Sequence, residues 1–264
     1  MTSTTQEPLI LKTQENGVVR LTLNRPQARN ALSQAMLDTL LAELETIAAD
    51  KSALVVILAG AGPAFCSGHD LKEMRATGFD RAYAEKLFAV CGKLMQRIVS
   101  LPQPVIARVH GIATAAGAQL VASCDLAIAA DTTRFATPGV NIGFFCSTPM
   151  VALSRNVSNK HALQMLLTGD LIDAPTAYRF GLVNEIVPES ELDAAVGALA
   201  AKIASKSRHT LAIGKEAYYR QAELPLAEAY AYAQGVMVDN LQALDAQEGI
   251  SAFIDKRPPV WCHA

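Results

Sequence analysis

Residues 110–125 read HGIATAAGAQLVASCD, and almost every side chain in this stretch is small. The stretch follows the apolar segment PVIARV, and residues 116–122 predict a helix. Two interpretations are open. The small residues allow tight packing, or they leave backbone N–H groups accessible to a ligand. The first N–H groups of a helix have no partner within it and carry the positive end of its dipole, which suits an oxygen that gains negative charge.

A second segment has the same design. AFCSGHDLKEM, residues 64–74, also follows an apolar strand and also sets a glycine, Gly68, beside small residues. Loops that follow parallel strands tend to carry binding sites. One amide from each segment, aimed at one oxygen, would form an oxyanion hole, in which each donor contributes about 3 to 4 kcal/mol when charge develops. The alternative is that the glycines serve only turns and packing.

The order of apolar segments predicts an α/β fold. LILKTQENGVVRLTLNRP predicts a hairpin, and ALVVILAG, QPVIARVHG and CDLAIAA predict buried strands that alternate with helices. From Glu189 onward every segment predicts a helix. We therefore expect a core over residues 1–188 and a helical region over residues 189–264 that form one functional unit. The apolar helix faces of that region must pack on the core or on a neighbouring subunit.

The composition argues against several classes of function. Hydrophobic residues make up 51% of the 264 residues and the net charge is −2, so we expect no nucleic-acid partner. No apolar run reaches the ~18–20 residues of a membrane span, and we expect no membrane partner. The five cysteines form no CxxC pair, and the histidines have no metal-ligand spacing, so we expect no metal. With no secretory signal, the expected location is cytoplasmic.

Several motifs together resemble the enoyl-CoA hydratase/isomerase (crotonase) superfamily over nearly the whole chain. They are LTLNRPQARNAL, AFCSGHDLKEM, PVIARVHGIATAAGAQLVASCDLAIAADTTRFATP, LTGDLIDAPTAYRFGLVNEIVP and EGISAFIDKRPP. The resemblance implies a crotonase-like spiral of ββα units with a C-terminal helical trimerisation region. It also implies an acyl-CoA thioester as substrate, no further cofactor, and self-association as a homotrimer or a dimer of trimers.

The resemblance also implies roles for individual residues. The oxyanion donors would be the backbone N–H groups of His69 and Ala116, and Gly117 would leave bare backbone for the thioester carbonyl. Further residues would line the site or bind CoA: Ser67, Gly68, Asp70 and Leu71 in the first loop, Ala28 near the adenine, and Lys256 near the nucleotide end. For Lys256, a solvated helix charge is the alternative.

The chain departs from the family at its acid–base pair. Hydratases of the superfamily use two glutamates, which would fall at Gln119 and Gly139. Glutamine can hold a water molecule but cannot take its proton, and glycine can do neither. General acid–base help typically contributes ~10²–10⁴-fold to a rate. Slow enoyl-CoA hydratase-type activity is therefore the leading interpretation.

Two other classes of function stay open. One is a different crotonase reaction, such as isomerisation, decarboxylation or thioester hydrolysis, or a reaction assisted by bicarbonate bound beside Gly139. The other is an acyl-CoA binder without catalysis.

Three further side chains have two interpretations each. The ring of His69 could act as an acid or base, but we favour the interpretation that only its amide matters and that the ring points away. Cys146 is a candidate nucleophile, although a buried cysteine beside two phenylalanines is more often inert. Asp70 is expected to anchor its own loop rather than to act on substrate.

Overall fold

The computed structural model describes residues 7–263 and has the α/β architecture expected from the sequence. Its strands are β1 (Ile10–Glu15), β2 (Val18–Leu23), β3 (Val55–Gly60), β4 (Val105–Val109), β5 (Ile112–Thr114), β6 (Leu126–Ala130), β7 (Arg134–Ala136), β8 (Ile172–Asp173) and β9 (Glu185–Val187). Its helices are α1 (Gln34–Ala49), α2 (Leu71–Ala76), α3 (Arg81–Ser100), α4 (Ala116–Ser123), α5 (Ser147–Asn156), α6 (Asn159–Thr168), α7 (Ala174–Phe180), α8 (Leu192–Ala204), α9 (Arg208–Gln221), α10 (Leu226–Gln242) and α11 (Leu244–Ile254).

The main sheet has the strand order β1-β2-β3-β4-β6-β9. The predicted hairpin is confirmed: β1 and β2 pair antiparallel across a turn at Asn16 and Gly17, both with positive φ. The other neighbours pair parallel. Strand β3 is apolar and buried up to its final glycine, because packed residues cover both of its faces.

The short strands β5, β7 and β8 form a second sheet, which we call the second layer. Its order is β5-β7-β8, and two single-residue parallel bridges, Cys66 with Ala113 and Leu32 with His69, extend it. The chain therefore passes repeatedly from a main-sheet strand to a short second-layer segment and then to a helix, as a spiral of ββα units does. The residue pattern alone did not predict β5, β7 or β8, because two or three residues are too few for a periodicity to appear.

Capping residues, prolines and glycines mark the ends of several helices at the positions that the sequence predicts. Ser33 accepts a hydrogen bond from the Met36 N–H and caps α1. Helix α3 stops before Pro102, and Gly169, with φ 67°, ends α6. Helix α4 begins at Ala116, the residue from which the sequence predicts it.

Helix α8 packs on the main sheet, although it lies after the boundary expected at residue 188. It buries Leu192, Val196 and Ala200 completely. These side chains form one cluster with Val55 and Ile106 of the main sheet. Helix α8 thus covers one face of the sheet, and the division at residue 188 stays a prediction.

The helices after α8 leave many large apolar side chains exposed. They include Leu226, Tyr230, Met237, Val238, Leu241, Leu244, Ile250, Phe253 and Ile254. Such a surface is typical of a contact with another subunit. Trimerisation through this region stays a prediction. Among the described residues, no helix is long and apolar enough to cross a lipid bilayer.

An ion pair between Lys215 and Asp125 connects α9 to the core. Lys215 Nζ lies 2.6 Å from Asp125 Oδ2 and also donates to the carbonyls of Ile98 and Gln103. The Tyr219 hydroxyl donates to the other Asp125 oxygen at 2.9 Å. Burial raises the pKa of Asp125 and lowers the pKa of Lys215, so each charge depends on the other to remain in the core.

We expect Lys215→Met to lower the free energy of unfolding by roughly 3 to 5 kcal/mol, because it leaves a buried carboxylate without its partner. Lys202→Met, at an exposed lysine of α8, is the control. Urea denaturation of both variants measures the difference. Equal stabilities for the two variants would show that the pair does not hold α9 in place.

Candidate active site

Second-layer pairing brings the two predicted oxyanion segments into contact. The Cys66 N–H donates to the Ile112 carbonyl at 3.1 Å, and the Thr114 N–H donates to the Cys66 carbonyl at 3.0 Å. A Cβ atom placed on Gly117 would lie only 2.1 Å from the Cys66 oxygen. Gly117 is therefore needed for packing between the segments, and its predicted role beside a thioester carbonyl stays a prediction.

The His69 amide is directed away from its neighbouring strand. The Leu32 N–H donates to the Gly68 carbonyl at 2.8 Å, and the Asp70 N–H donates to the Leu32 carbonyl at 3.1 Å. In a parallel bridge of this kind, the residue between the two bonds turns its own N–H and C=O to the opposite side. The His69 N–H donates to no acceptor within residues 7–263.

The Ala116 amide is free for a different reason. Ala116 is the first residue of α4, and the first backbone bond of that helix runs from the Gln119 N–H to the Ala115 carbonyl at 3.0 Å. The described part of the chain offers no acceptor to the Ala116 N–H. Both free amides thus belong to positions where the local backbone cannot satisfy them.

Each free amide follows a residue with positive φ. Gly68 has φ 97° and Ala115 has φ 51° with ψ −119°. A non-glycine residue with such backbone angles lowers the stability of the folded state by on the order of 1 to 3 kcal/mol. Strained residues of this kind cluster at functional sites. A Cβ atom on Gly68 would lie 2.8 Å from Ala115 Cβ and 3.4 Å from the Ala116 nitrogen, so the two donor segments are in direct contact.

The two nitrogen atoms of the partly buried His69 ring are inaccessible to solvent. Both ring nitrogens are without a hydrogen-bond partner among the described residues, and the ring packs edge-on against Phe88 at 5.3 Å. Burial lowers the pKa of His69 to about 4. The ring is therefore neutral near pH 7, which agrees with the interpretation that the amide, and not an imidazolium, matters.

Asp70 is engaged within the protein, as expected for a residue that anchors its loop. Its carboxylate lies 2.9 Å from Arg25 Nη2 and accepts the N–H groups of Lys72 and Glu73, capping α2. Burial alone would raise the pKa of Asp70, but Arg25 and these N–H groups lower it. Arg25 also donates to the Ala31 carbonyl at 2.9 Å, so it joins the 25–31 loop to the His69 segment. No pattern in the sequence set Arg25 apart, although it lies in the motif LTLNRP.

Most of the predicted binding residues lie together. The Ser67 N–H donates to the Arg29 carbonyl at 3.0 Å, and Ser67 Oγ lies 3.5 Å from the Ala28 carbonyl oxygen. Leu71 begins α2 and is exposed. Lys256 is the exception, because it follows α11 and no described contact joins it to the His69 or Ala116 segment. The binding roles of these residues stay predictions.

Gln119 is buried in α4, three residues after Ala116. Its side chain is 3% exposed, and its Oε1 has no hydrogen-bond partner among the described residues. The Thr137 hydroxyl is also buried and unpartnered, and it follows Ala136, whose carbonyl accepts the Ala115 N–H at 2.9 Å. Buried polar atoms in proteins nearly always have a partner, so these two atoms indicate a place for water or a ligand. Thr137 had no signal in the sequence that set it apart.

The position of the second family glutamate is closed. A Cβ atom on Gly139 would lie 1.9 Å from the Phe144 carbonyl oxygen and 3.0 Å from Cys146 Sγ. The Phe144 N–H in turn donates to the Gly139 carbonyl at 2.9 Å, which holds this loop in place. A side chain at position 139 would therefore collide with the Phe144 carbonyl, and the alternative of a bicarbonate bound beside Gly139 stays a prediction.

Cys146 is not activated as a nucleophile. Its side chain is buried, and burial raises the pKa of its thiol. The thiol is therefore protonated near pH 7, while the thiolate is the reactive form. Among the described residues, no group of three or more His, Cys, Asp or Glu side chains could hold a metal ion.

Comparisons with known proteins agree with the fold and the motifs. A family model described as Enoyl-CoA hydratase/isomerase matches residues 13–264. Enoyl-CoA hydratase domain-containing protein 3, mitochondrial, from Xenopus laevis is 49% identical over 257 residues, which cover 97% of this chain and 87% of that protein.

Two crystal structures match nearly the whole chain. An enoyl-CoA hydratase of Mycobacterium smegmatis superimposes with a TM-score of 0.94 and 55% identity, covering 97% of this chain and 99% of its own. Human enoyl Coenzyme A hydratase domain-containing protein 3 superimposes with a TM-score of 0.93 and 47% identity, covering 96% and 100% respectively. The crotonase fold implied by the sequence motifs is confirmed.

The buried His69 ring predicts a pH dependence of stability. Between about pH 6.5 and pH 4 the unfolded chain binds a proton that the folded chain does not, so the free energy of unfolding falls as the pH falls. The contribution of His69 over this window is up to about 3 kcal/mol.

Urea denaturation at several pH values measures this slope in the wild type and in His69→Phe, which should lose part of it. His209→Phe, on α9, is the control for replacing a histidine. If the wild type and His69→Phe had the same slope, the ring would not be held neutral by burial.

Proposed function

The chain belongs to the enoyl-CoA hydratase/isomerase family, and we propose that it binds an acyl-CoA thioester and stabilises the enolate formed from it. The observation that carries this proposal is the pair of free amides of His69 and Ala116 in two segments that touch each other. The thioester oxygen would accept both N–H groups. The oxygen gains negative charge in the transition state, so these bonds strengthen as the reaction proceeds.

The chain's own residues perform the positioning in this proposal. Arg25 and Asp70 fix the loop that presents the His69 amide, and the strained Ala115 turns the following peptide so that the Ala116 N–H is free. Because these groups are held by the fold, they need no reorganisation when charge develops. Gln119 would hold a water molecule or a polar group of the substrate with its carboxamide.

Enoyl-CoA hydration is proposed as a slow activity. The chain has no carboxylate at position 119 or 139, so a water molecule bound there has no base to take its proton. The rate should therefore fall below that of a two-glutamate hydratase by about 10²-fold or more.

The absence of a carboxylate at positions 119 and 139 favours a second candidate, the decarboxylation of an α-carboxyacyl (malonyl-type) thioester. In that reaction the bond between the α-carbon and the carboxyl carbon breaks, and its electron pair forms the enolate. Carbon dioxide leaves, and a proton from water later adds to the α-carbon. No protein base is needed, which suits a site whose acid–base pair is absent.

A turnover screen over enoyl-, acyl- and α-carboxyacyl-CoA (malonyl-type) thioesters tests the proposal, with products identified by mass. A 3-hydroxyacyl-CoA product supports hydration, and a product shorter by carbon dioxide supports decarboxylation. Thermal stabilisation by acyl-CoA without turnover of any thioester would favour a binder. Failure of every acyl-CoA to bind would overturn the proposal.

We expect Gly68→Ala to lower turnover by on the order of 10²- to 10³-fold, the effect of losing one oxyanion donor. The new methyl group would lie 2.8 Å from Ala115 Cβ and would push the two donor segments apart. Gly78→Ala is the control, because Gly78 also has positive φ but no atom within 4 Å of the new methyl group. Equal activities of the two variants would contradict the assigned hole.

We expect Gln119→Glu to raise the hydration of crotonyl-CoA by about tenfold or more, since it supplies a base beside the hole. Adding Gly139→Glu should give no further gain and should destabilise the fold, because the Phe144 carbonyl fills that space. Ser154→Glu, at an exposed residue of α5, is the control for the added charge. A large further gain from Gly139→Glu would show that the loop opens readily.

A further inference from the structure

His110 is a buried histidine with a hydrogen bond at each ring nitrogen. It lies between β4 and β5 and is 7% exposed. Its Nε2 lies 2.7 Å from the Gly62 carbonyl oxygen, and its Nδ1 lies 2.9 Å from Arg108 Nη1. A buried ring with both nitrogens engaged is held in a single orientation.

The two partners also fix the tautomer of the His110 ring. A guanidinium has only donors, so Arg108 donates to Nδ1. A carbonyl oxygen only accepts, so Nε2 carries the proton and donates to Gly62. The ring is therefore neutral in this arrangement, because a second proton on Nδ1 would face the Arg108 cation.

Arg108 is held in its orientation by α8. Its Nε and Nη2 donate to the two carboxylate oxygens of Asp193 at 3.0 and 2.8 Å, which leaves Nη1 for the His110 ring. Arg20 also donates to Asp193, at 2.8 Å. Arg108 and Arg20 lower the pKa of Asp193 to about 2, against the opposing effect of burial. The carboxylate is therefore ionised near neutral pH and keeps Arg108 directed at His110.

His110 joins the turn before the His69 segment to the segment that ends at Ala116. Its carbonyl accepts the Phe65 N–H at 3.0 Å, while its ring donates to Gly62. One residue thus bonds to both ends of the 62–65 turn, which leads from β3 into the segment that carries the His69 amide.

The turn at Gly62 depends on side chains for its position. Gly62 is exposed and has φ 72°, a conformation that glycine adopts without strain. The Asn30 amide donates to the carbonyls of Ala61 and Ala64 at 2.9 and 2.7 Å. Among the described residues, the Gly62 carbonyl accepts a hydrogen bond from the His110 ring alone. The ring is therefore the group that ties the middle of this turn to the second donor segment.

We propose that the neutral His110 ring is a positioning residue of the oxyanion site. By bonding to Gly62, it holds the His69 segment against the segment that ends at Ala116. The inference rests on the proposed function, because it assigns the ring to the geometry of those two amides. The ring acts through the backbone of residues 62–69 and not on the thioester itself.

Two substitutions separate the two bonds of the ring. His110→Gln keeps a donor for Gly62, because a glutamine amide nitrogen can lie about where Nε2 lies. His110→Asn keeps an acceptor near Nδ1 for Arg108, but its side chain is too short to reach Gly62. His209→Asn, on α9, is the control for the loss of a histidine.

Hydrogen exchange of the whole protein without ligand, followed by mass spectrometry, measures the effect on the turn. Peptides from residues 61–69 should exchange about tenfold faster in His110→Asn than in the wild type, the effect of losing one hydrogen bond. His110→Gln and His209→Asn should stay near the wild type in these peptides. Equal exchange in the wild type and His110→Asn would overturn the inference. An equal rise in all peptides would assign the ring a purely structural role and would overturn it too.

Arg108→Met is the second variant, for use if His110→Asn does not fold. It keeps the His110 ring but removes the donor that fixes its tautomer. Exchange in residues 61–69 should again rise above the wild-type rate, and an unchanged rate would overturn the inference.

Infrared spectroscopy of bound crotonyl-CoA with a ¹³C-labelled carbonyl connects the turn to the two amides. The wild type and His110→Gln should move the carbonyl band to lower frequency than in water, and His110→Asn, saturated with ligand, should lose at least half of that shift. A full shift in His110→Asn would reject the inference and leave the proposed function intact. A wild type that does not bind the probe, or binds it without a shift, would reject the proposed function and the positioning role with it.

Discussion

The parallel pairing of short second-layer segments is the constraint on which the site depends. The bridges at Leu32 and at Cys66 fix the loop around His69 against the segment that ends at Ala116. The contact between the Cys66 carbonyl and Gly117 leaves no space for a side chain, so the distance between the two loops is set by backbone packing. The free amides owe their positions to this packing and not to any catalytic side chain.

The candidate site has two free backbone amides but lacks carboxylates at the positions of the family glutamates. Ala115 has a positive φ, and the ion pair between Arg25 and Asp70 holds the first loop in place. At Gly139, in contrast, the Phe144 carbonyl fills the space of a side chain. If the two amides bind the thioester oxygen as proposed, they can stabilise an oxyanion, whereas a proton must move to a group that the substrate or solvent supplies. The proposal therefore favours reactions in which the enolate forms without a protein base.

The sequence predicted the long elements and both donor segments, because apolar periodicity and glycine placement are local signals. It did not predict β7 or β8, whose two or three residues pair only because distant segments lie beside them. The sequence did not show that packing requires a glycine at position 117, since the atom that requires it, the Cys66 oxygen, lies about fifty residues away in the chain. The sequence also did not predict that the Phe144 carbonyl fills the side-chain space at Gly139, because this contact depends on the path of the loop through Phe144.

We propose that the His69 and Ala116 amides bind one thioester oxygen. Infrared spectroscopy of a bound acyl-CoA with a ¹³C-labelled carbonyl tests this binding. Two converging N–H donors polarise the carbonyl, so its stretching band should move to lower frequency than in water. A band at the position it has in water, from a ligand shown to be bound, would contradict the account.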